Sequence, residues 1–344
     1  MASSTRENPD LSGVRPAQPL NMAGKRLTVI CPVHNEEKVI PLFYKRFCDA
    51  VAPLRRSYEI ELIFTNNRST DRTLDVIVGL RARDPSVQVI TLSRNFGYQA
   101  SLQAGLSHAT GDAVMFIDVD CEDPPELIPR FVEKWAEGYD VVYGERGNRP
   151  EGKVIKALRN YFYKVLRALG DADIVLYMAE FALFSRKVRE AIVNNQNTFP
   201  YIRAEIGFVG FSRYGIRYDR QRRVSGLTHY NIIDMIAAAA GALLTSSTFP
   251  MRATAIAFPL VALLNIVLLM MDGVGSVGQP FKILVAFDLV FLLLLASTYG
   301  LYLARIHKNL MGRPIFIVDR DLTILNQPAD RQERASAAVR SQKA

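Results

Sequence analysis

Between residues 26 and 145 the chain alternates short, almost wholly apolar runs with longer stretches in which apolar residues recur every three or four positions. The runs LTVICPV, IELIFTN, VQVITLS, AVMFIDV and DVVYG predict strands at Leu27–Val33, Ile60–Asn66, Val87–Ser93, Ala113–Val119 and Asp140–Gly144. The periodic stretches between them predict helices near Glu36–Ala52, Thr70–Arg83, Tyr98–Ala109 and Pro125–Glu137. Strands and helices in strict alternation predict an α/β fold, a wound and largely parallel sheet of Rossmann-like type. Sheets of this kind bind ligands at the carboxyl ends of their strands, so the residues after each strand are where chemistry is sought.

After about residue 232 the pattern changes, and charged residues nearly vanish. Two runs, Ala253–Met271 and Ile283–Leu303, approach the roughly 20 apolar residues that a membrane-spanning helix needs. A pair of buried core helices is the alternative, and the lack of charge favours the spans. Asp288 is the exception; an acid at that depth is expected to face the other helix or a bound lipid. Residues 231–250, Ala-rich with few charges, read as an interfacial helix lying on the membrane.

Charge then orients the hairpin. Arg217, Arg220, Arg222, Arg223 and Arg252 precede the first span, and Arg305, His307, Lys308 and Arg313 follow the second, whereas the connection Asp272–Lys282 carries one Lys and one Asp. Basic flanks stay in the cytoplasm, which predicts a multi-pass protein of the cell inner (plasma) membrane with its soluble domain and both termini cytoplasmic. The formal net charge of +8 admits nucleic acid or an anionic lipid bilayer as partner, and the clustering beside the spans selects the bilayer over nucleic acid. The boundaries expected are a disordered leader at 1–24, a cytoplasmic domain at 25–230, the interfacial helix at 231–250, spans at 253–271 and 283–303, and a cytoplasmic tail at 304–344. Cys31, Cys48 and Cys121 are too few for a disulfide framework and are expected as free thiols.

Every strand end is polar. The first strand runs into Pro32-Val33-His34-Asn35-Glu36-Glu37 with no Gly-x-Gly-x-x-Gly, which disfavours a dehydrogenase-type dinucleotide site. The second gives Asn66-Asn67-Arg68-Ser69, the third Ser93-Arg94-Asn95-Phe96-Gly97, and the fourth Asp118-Val119-Asp120-Cys121-Glu122. On an extended segment Asp118, Asp120 and Glu122 would share one side and suit a hard, oxygen-liganded cation such as Mg2+ or Mn2+ on a diphosphate. Asp-x-Asp alone is common in solvated loops; its place directly after a buried strand is what favours the metal.

The blocks CPVHNEE, SRNFGYQASLQAGLSHATGD, IDVDCEDPPELI, DVVYGER and RRVSGLTHY together resemble the family-2 glycosyltransferases of GT-A fold, in the polyprenyl-phosphate branch that includes dolichol-phosphate mannose and undecaprenyl-phosphate glucose transferases. The resemblance runs over roughly residues 26–320. It implies inverting transfer of one sugar from a nucleotide-diphosphate sugar to a polyprenyl phosphate at the cytoplasmic membrane face, feeding cell-envelope glycan or glycolipid modification. It further implies that Pro32, Asn35, Glu36 and Asn67 line the nucleotide pocket, that Asp118 contacts ribose or metal, and that Asp120 with Glu122 holds the metal. Arg146, Arg220, Arg222 and His229 fall to the acceptor phosphate, Glu180 to an acceptor-side acid or base or an ordinary salt bridge, and self-association is suggested by related membrane-hairpin enzymes.

Three positions depart from that pattern. Asn66-Asn67-Arg68 stands where Asp-Asp-Gly or Asn-Asp-Gly is usual, Ala179-Glu180-Phe181-Ala182-Leu183 stands for Gly-Asp-Phe-Arg-Leu, and His229 replaces a Lys. The altered segments leave a non-catalytic membrane scaffold as the rival from another class, opposed by the intact Asp118, Asp120 and Arg146. A processive polysaccharide synthase would need more spans and an Arg-Trp motif, yet the only Trp is Trp135 inside a predicted helix. His34 reads as a pocket-rim residue, His108 as a solvated cation closing its helix, and Tyr161-Phe162-Tyr163 as packing.

Overall fold

The structure is a computed structural model and describes residues 24–147, 178–195, 201–221, 247–271 and 279–326. It divides into two compact units, one made of the chain up to Lys156, Val175–His229 and everything from Pro314, the other of Ala157–Ile174 and Tyr230–Arg313. The leader at 1–23, the aromatics Tyr161-Phe162-Tyr163, most of the expected interfacial helix, and the tail beyond Asn326 lie outside the described residues.

The first unit is a seven-stranded sheet in the order β3-β2-β1-β4-β6-β5-β7. Its strands are β1 (Lys25–Val33), β2 (Tyr58–Asn66), β3 (Val87–Thr91), β4 (Ala113–Phe116), β5 (Val141–Arg146), β6 (Met178–Ser185) and β7 (Arg213–Tyr218). The helices are α1 (Ile40–Val51), α2 (Thr73–Arg81), α3 (Tyr98–His108), α4 (Ile128–Ala136), α5 (Arg186–Asn194) and α6 (Ile202–Val209). The α/β expectation holds, and each of the five strands and four helices read from the periodicity overlaps an observed element. The parallel run β3-β2-β1-β4 is wound outward from β1 and resumes on its other side, so β1 and β4 flank the switch point where a crevice opens.

Beyond β4 the direction reverses. β6 runs antiparallel to both β4 and β5, and β7 pairs with β5 in parallel. Alternation along β6 sends Ala179, Phe181 and Leu183 into one core layer, with Phe43 and Phe47 of α1 and Phe131 and Trp135 of α4. Met178, Ala182 and Phe184 enter the opposite layer, with Leu102 and Leu106 of α3 and Ile202 and Ile206 of α6. Gly105 lets α3 lie tightly on β1, since a Cβ there would sit 2.4 Å from Ile30 Cγ2. That close approach brings the first turn of α3 to the ligand edge of the sheet.

Residues 314–326, which the pattern assigns to a tail, form a strap along the exposed edge of β3. Val89 and Leu92 bridge to Ile324 and Val318, Asp319 N donates to Thr91 O (2.8 Å), and Thr91 Oγ1 donates to Leu322 O (2.8 Å). Phe316, Val318 and Leu325 cover Ile63, Ile90 and Leu92. An uncovered sheet edge invites pairing with another chain, and the strap removes that hazard. Phe316 also packs near the ring of His108, whose pKa is pushed down by burial. His108 is therefore a packed imidazole whose Nδ1 meets Ala104 O at 2.8 Å, not the solvated side chain expected from its place at a helix end.

The second unit contributes helices α7 (Phe249–Met271) and α8 (Gln279–Leu310), both long and apolar enough to cross a membrane by length and composition. Asn265 Nδ2 on α7 donates to both carboxylate oxygens of Asp288 on α8 (2.8 and 2.9 Å). The acid thus faces the other helix, as the cost of an unpaired carboxylate in lipid demands. Ending the chain at Arg313 is expected to remove roughly 2–4 kcal/mol of stability from the first unit, the burial of four half-covered side chains less their ordering cost. Thermal unfolding of the detergent-solubilised protein checks this; an unchanged melting temperature would show the strap to be dispensable.

Candidate functional site

Register delivers the site. With Phe116 opposite Ala182 and Met115 opposite Leu183, the antiparallel β4–β6 pair, continued past its last bond, sets Glu180 across from Asp118. The β5–β6 pair brings the end of β5 to the start of β6, and β5–β7 puts Arg146 opposite Tyr218. Asp118, Glu180 and Arg146 thereby share one edge of the sheet, beside the switch point.

The strand before Asp118 is shorter than its composition predicts. β4 stops at Phe116, Val119 and Asp120 form a turn, and Cys121 is left-handed at φ +59°. The expected extended segment with three carboxylates on one side is therefore not what forms; Asp120 Oδ1 instead accepts the Glu122 amide (3.0 Å) and closes a tight Asx-type turn. Asp120 is buried and Asp118 half-buried. Burial, then the neighbouring charge of Asp123, pushes Asp118 up to about 7, against the opposing hydrogen bond from Tyr98 Oη (2.7 Å); Asp120 and Glu180 add to the rise. The carboxylate oxygens crowded at this turn form a donor set that suits a hard divalent cation. Among the described residues no three His, Cys, Asp or Glu side chains converge as a ready-made metal cage.

On one side of this turn lie the loops after β1, β2 and β3. Among the described residues the three non-glycine residues with positive φ, Asn35, Arg68 and Cys121, lie just past the ends of β1, β2 and β4, and Gly97 (φ +91°) opens α3 after β3. Left-handed backbone costs about 1–2 kcal/mol in most residues, and such outliers gather at functional edges. Asn35 Oδ1 accepts Thr70 N (2.7 Å), Asn35 N donates to Ser69 Oγ (3.0 Å), and Glu36 N donates to Thr73 Oγ1 (2.8 Å), which laces the first two loops together. Pro32 is buried within β1. Asn67 is buried with both ends of its amide engaged: Oδ1 accepts Phe96 N (2.9 Å) and Nδ2 donates to Asn95 Oδ1 (2.9 Å). His34 is a rim residue whose Nδ1 meets Asn67 O at 3.1 Å.

On the other side Arg146 donates to Asp123 Oδ2 (3.2 Å), and Asp123, 1% exposed, also accepts the Tyr218 hydroxyl. Burial alone would lower the Arg146 pKa, but the charges of Asp123 and Tyr218 hold it well above its usual value, so this cation is permanent. Glu180 pairs with Arg203 of α6. Glu122 pairs with Arg220, and Gln221 N donates to Glu122 O (3.0 Å), docking the stretch after β7 on the Asp120 turn. The structure thus brings together two residues read separately as metal ligand and phosphate ligand. Arg222 and His229 lie outside the described residues. Tyr98, Asp123, Arg203, Tyr218 and Asp319 escape the sequence reading; only Tyr98, directly after the third strand-end loop, had a positional signal.

Residues 28–193 match the family described as Glycosyl transferase family 2. The protein named Uncharacterized glycosyltransferase YkcC of Bacillus subtilis (strain 168) is 32% identical over 90% of this chain and 98% of its own. The chain belongs to glycosyl transferase family 2. The bactoprenol glucosyl transferase of Shigella phage SfX is 36% identical over 66% of this chain and 74% of its own. The undecaprenyl-phosphate 4-deoxy-4-formamido-L-arabinose transferase of Klebsiella pneumoniae (strain 342) is 28% identical over 88% of this chain and 95% of its own.

The wound sheet with its reversed β6 is the GT-A fold of this glycosyltransferase, and its departures from the family pattern now have a physical reading. Arg68 adopts φ +57° where glycine is usual and is held there by an ion pair from its Nη1 to Asp319 Oδ2 of the strap (2.8 Å). Asn67, at the position where the resemblance expects an acid, both donates and accepts through its amide. Asn67→Asp, which restores that acid, is expected to destabilise by about 1–3 kcal/mol, since a carboxylate would face Asn95 Oδ1. Rotating Asn95 gives no escape, because the same oxygen accepts Gly97 N (2.9 Å). Denaturant unfolding of the variant beside the parent checks this; equal midpoints would mean that the loops are not pinned through Asn67.

Proposed function

We propose that this glycosyltransferase moves one hexose from a nucleotide-diphosphate sugar to a polyprenyl phosphate at a membrane surface, with inversion at the anomeric carbon. The observation that carries the reading is a site with two unlike arms: laced strand-end loops on one side of the Asp118–Asp120 turn and a half-buried, permanently charged arginine on the other. Relatives named for bactoprenol and undecaprenyl-phosphate sugar transfer support the acceptor class.

A phosphate monoester is ionised near neutral pH, so its oxygen attacks the anomeric carbon while the bond to the departing nucleoside diphosphate breaks with its electron pair. No proton has to be removed, and the enzyme's task is alignment and charge neutralisation. Pro32, Asn35, Glu36 and Asn67 shape the nucleotide side, Pro32 and Asn67 from within and Asn35 and Glu36 at the surface of the loops. Asp120, with Asp118 beside it and Glu122 exchanging Arg220 for the ion, would hold Mg2+ or Mn2+. When bound, the cation neutralises the leaving diphosphate. Arg146 and Arg220, with Arg222 and His229 from the stretch that follows, take the acceptor phosphate.

The membrane reading rests on α7 and α8. Both flanks of this pair, β7 before it and the strap after it, belong to the first unit. Two crossings return the chain to the side it left, and the basic flanks make that side the cytoplasm of the inner (plasma) membrane. We extend the proposal to self-association of the hairpins, read out by light scattering in detergent.

Purified protein with Mn2+, a panel of nucleotide sugars and undecaprenyl phosphate in lipid nanodiscs is expected to form a prenyl-phosphate sugar. Turnover should vanish with a chelator and return with Mn2+ or Mg2+, and Asp120→Ala should lower it at least about a thousandfold, the scale of removing one preorganised charge contact or more. Retained activity in Asp120→Ala would sink the metal assignment, and no turnover with any donor would return the scaffold reading.

A further inference from the structure

Glu180 lies at the start of β6, where the β4–β6 register continued past its last pair leads to Asp118, and its side chain is only 12% exposed. Its partner does not come from the sheet. Ala182, the next residue on the same face of β6, is fully buried among Phe116, Tyr143, Ile202 and Ile206, which leaves no room there for a charged side chain. The small alanine instead lets α6 pack down on this layer, and α6 supplies Arg203, whose Nη2 bonds to Glu180 Oε2.

Two features of this pair do not fit a simple structural salt bridge. Arg203 spends one terminal nitrogen on Glu180, while its Nε is buried and without a hydrogen-bond partner among the described residues. Arg146 has the same defect: Nη2 meets Asp123 and its Nε is buried without a partner. A buried N–H without an acceptor costs free energy unless a ligand supplies one. Each guanidinium also feels Glu180, and Arg203 feels the like charge of Arg146. Two neighbouring guanidinium groups, each with a buried donor to spare beyond its own carboxylate partner (Asp123 for Arg146, Glu180 for Arg203), favour the arrival of a compact, doubly charged anion.

We infer that Arg203 is a second arginine of the acceptor-phosphate subsite, acting with Arg146 on a phosphate monoester, and that Glu180 is the residue that positions Arg203 rather than an acid or base. This rests on the proposed transfer to a phosphate acceptor and deepens it: the attacking oxygen needs no base, so a carboxylate beside it serves best by aiming a cation. Glu180 holds one edge of the guanidinium and leaves the remaining N–H groups for the phosphate oxygens.

The test separates KM from kcat in the full-length protein in nanodiscs. Arg203→Met is expected to raise the KM for undecaprenyl phosphate at least about tenfold, the scale of a lost charge-assisted hydrogen bond, and to leave the donor KM within about twofold. Arg203→Lys, which keeps the charge but cannot span carboxylate and phosphate together, is expected to fall between, at about threefold or more. Glu180→Gln should follow Arg203→Met in acceptor KM, with kcat at saturation within about threefold of the parent. A fall in kcat of about a hundredfold in Glu180→Gln with acceptor KM unchanged would restore the base role and overturn the inference. An unchanged acceptor KM in Arg203→Met, or in Arg203→Lys if the methionine variant does not fold, overturns it too, as does an equal loss of donor affinity. Calorimetry with farnesyl phosphate on the nucleotide-loaded protein separates the two claims. Binding that Arg203→Met weakens, without turnover of any polyprenyl phosphate by the parent, would keep the subsite and discard the acceptor; absence of binding to the parent would discard the subsite.

Discussion

One reversal of strand direction organises the rest of the site. Four parallel strands on their own would offer only the loops after β1, β2, β3 and β4. Because β6 enters antiparallel beside β4, the start of β6 rather than its end lies at the ligand edge, and with it Glu180. The same reversal lets β5 pair with β6 on the far side, so that Arg146 at the end of β5 reaches that edge from the opposite direction. A slip of one residue in β6 would turn Glu180 and Ala182 into the other core layer and bring Phe181 to the site, which is why the alternation of buried side chains along this strand matters for chemistry as well as for packing.

The half of the site built from the loops after β1, β2 and β3 is held by strain and by spent polar groups. Left-handed Asn35, Arg68 and Cys121 are unfavourable locally, and each is over-determined by its surroundings: the Asn35 side chain by Thr70 N, Arg68 by Asp319, and Cys121 by the Asx turn that Asp120 closes before Glu122. Asp319 reaches Arg68 across 251 positions of sequence, after the two apolar helices. The chain therefore passes through the two apolar helices and comes back to finish its first unit, and the strap both blunts the β3 edge and fixes the conformation of the β2 loop.

The parts legible in the sequence are those with a local period. Apolar runs marked β1 to β5, three- and four-residue recurrence marked α1 to α4, and loss of charge marked the two long helices, although α8 runs on to Leu310, past the expected end at Leu303. β6 and β7 carry weaker signals: MAEFALFS reads as readily as part of a helix, and RYGIRY is bracketed by arginines. Strand composition predicted that β4 would run on through Asp118, but the turn that starts at Val119 is set by a side-chain bond to backbone that no alternation pattern shows. Arg203 and Asp319 were invisible for a more general reason. Their partners, Glu180 and Arg68, are distant in sequence, and nothing in the flanking residues distinguishes these charges from ordinary surface ones until the fold brings them together.

In the proposed function the turn at Asp118–Asp120 holds a cation on the donor's diphosphate, between a nucleotide arm at β1–β3 and a phosphate arm at Arg146. A crystal structure with Mn2+ and a non-hydrolysable nucleotide sugar, read by anomalous scattering at the manganese edge, tests it most directly. One manganese peak is expected within ligand distance of Asp120, about 2.0–2.3 Å, with the nucleotide over the β1–β3 loops. A peak away from Asp118 and Asp120, or a nucleotide bound with its diphosphate on Arg146 and no metal, would contradict it.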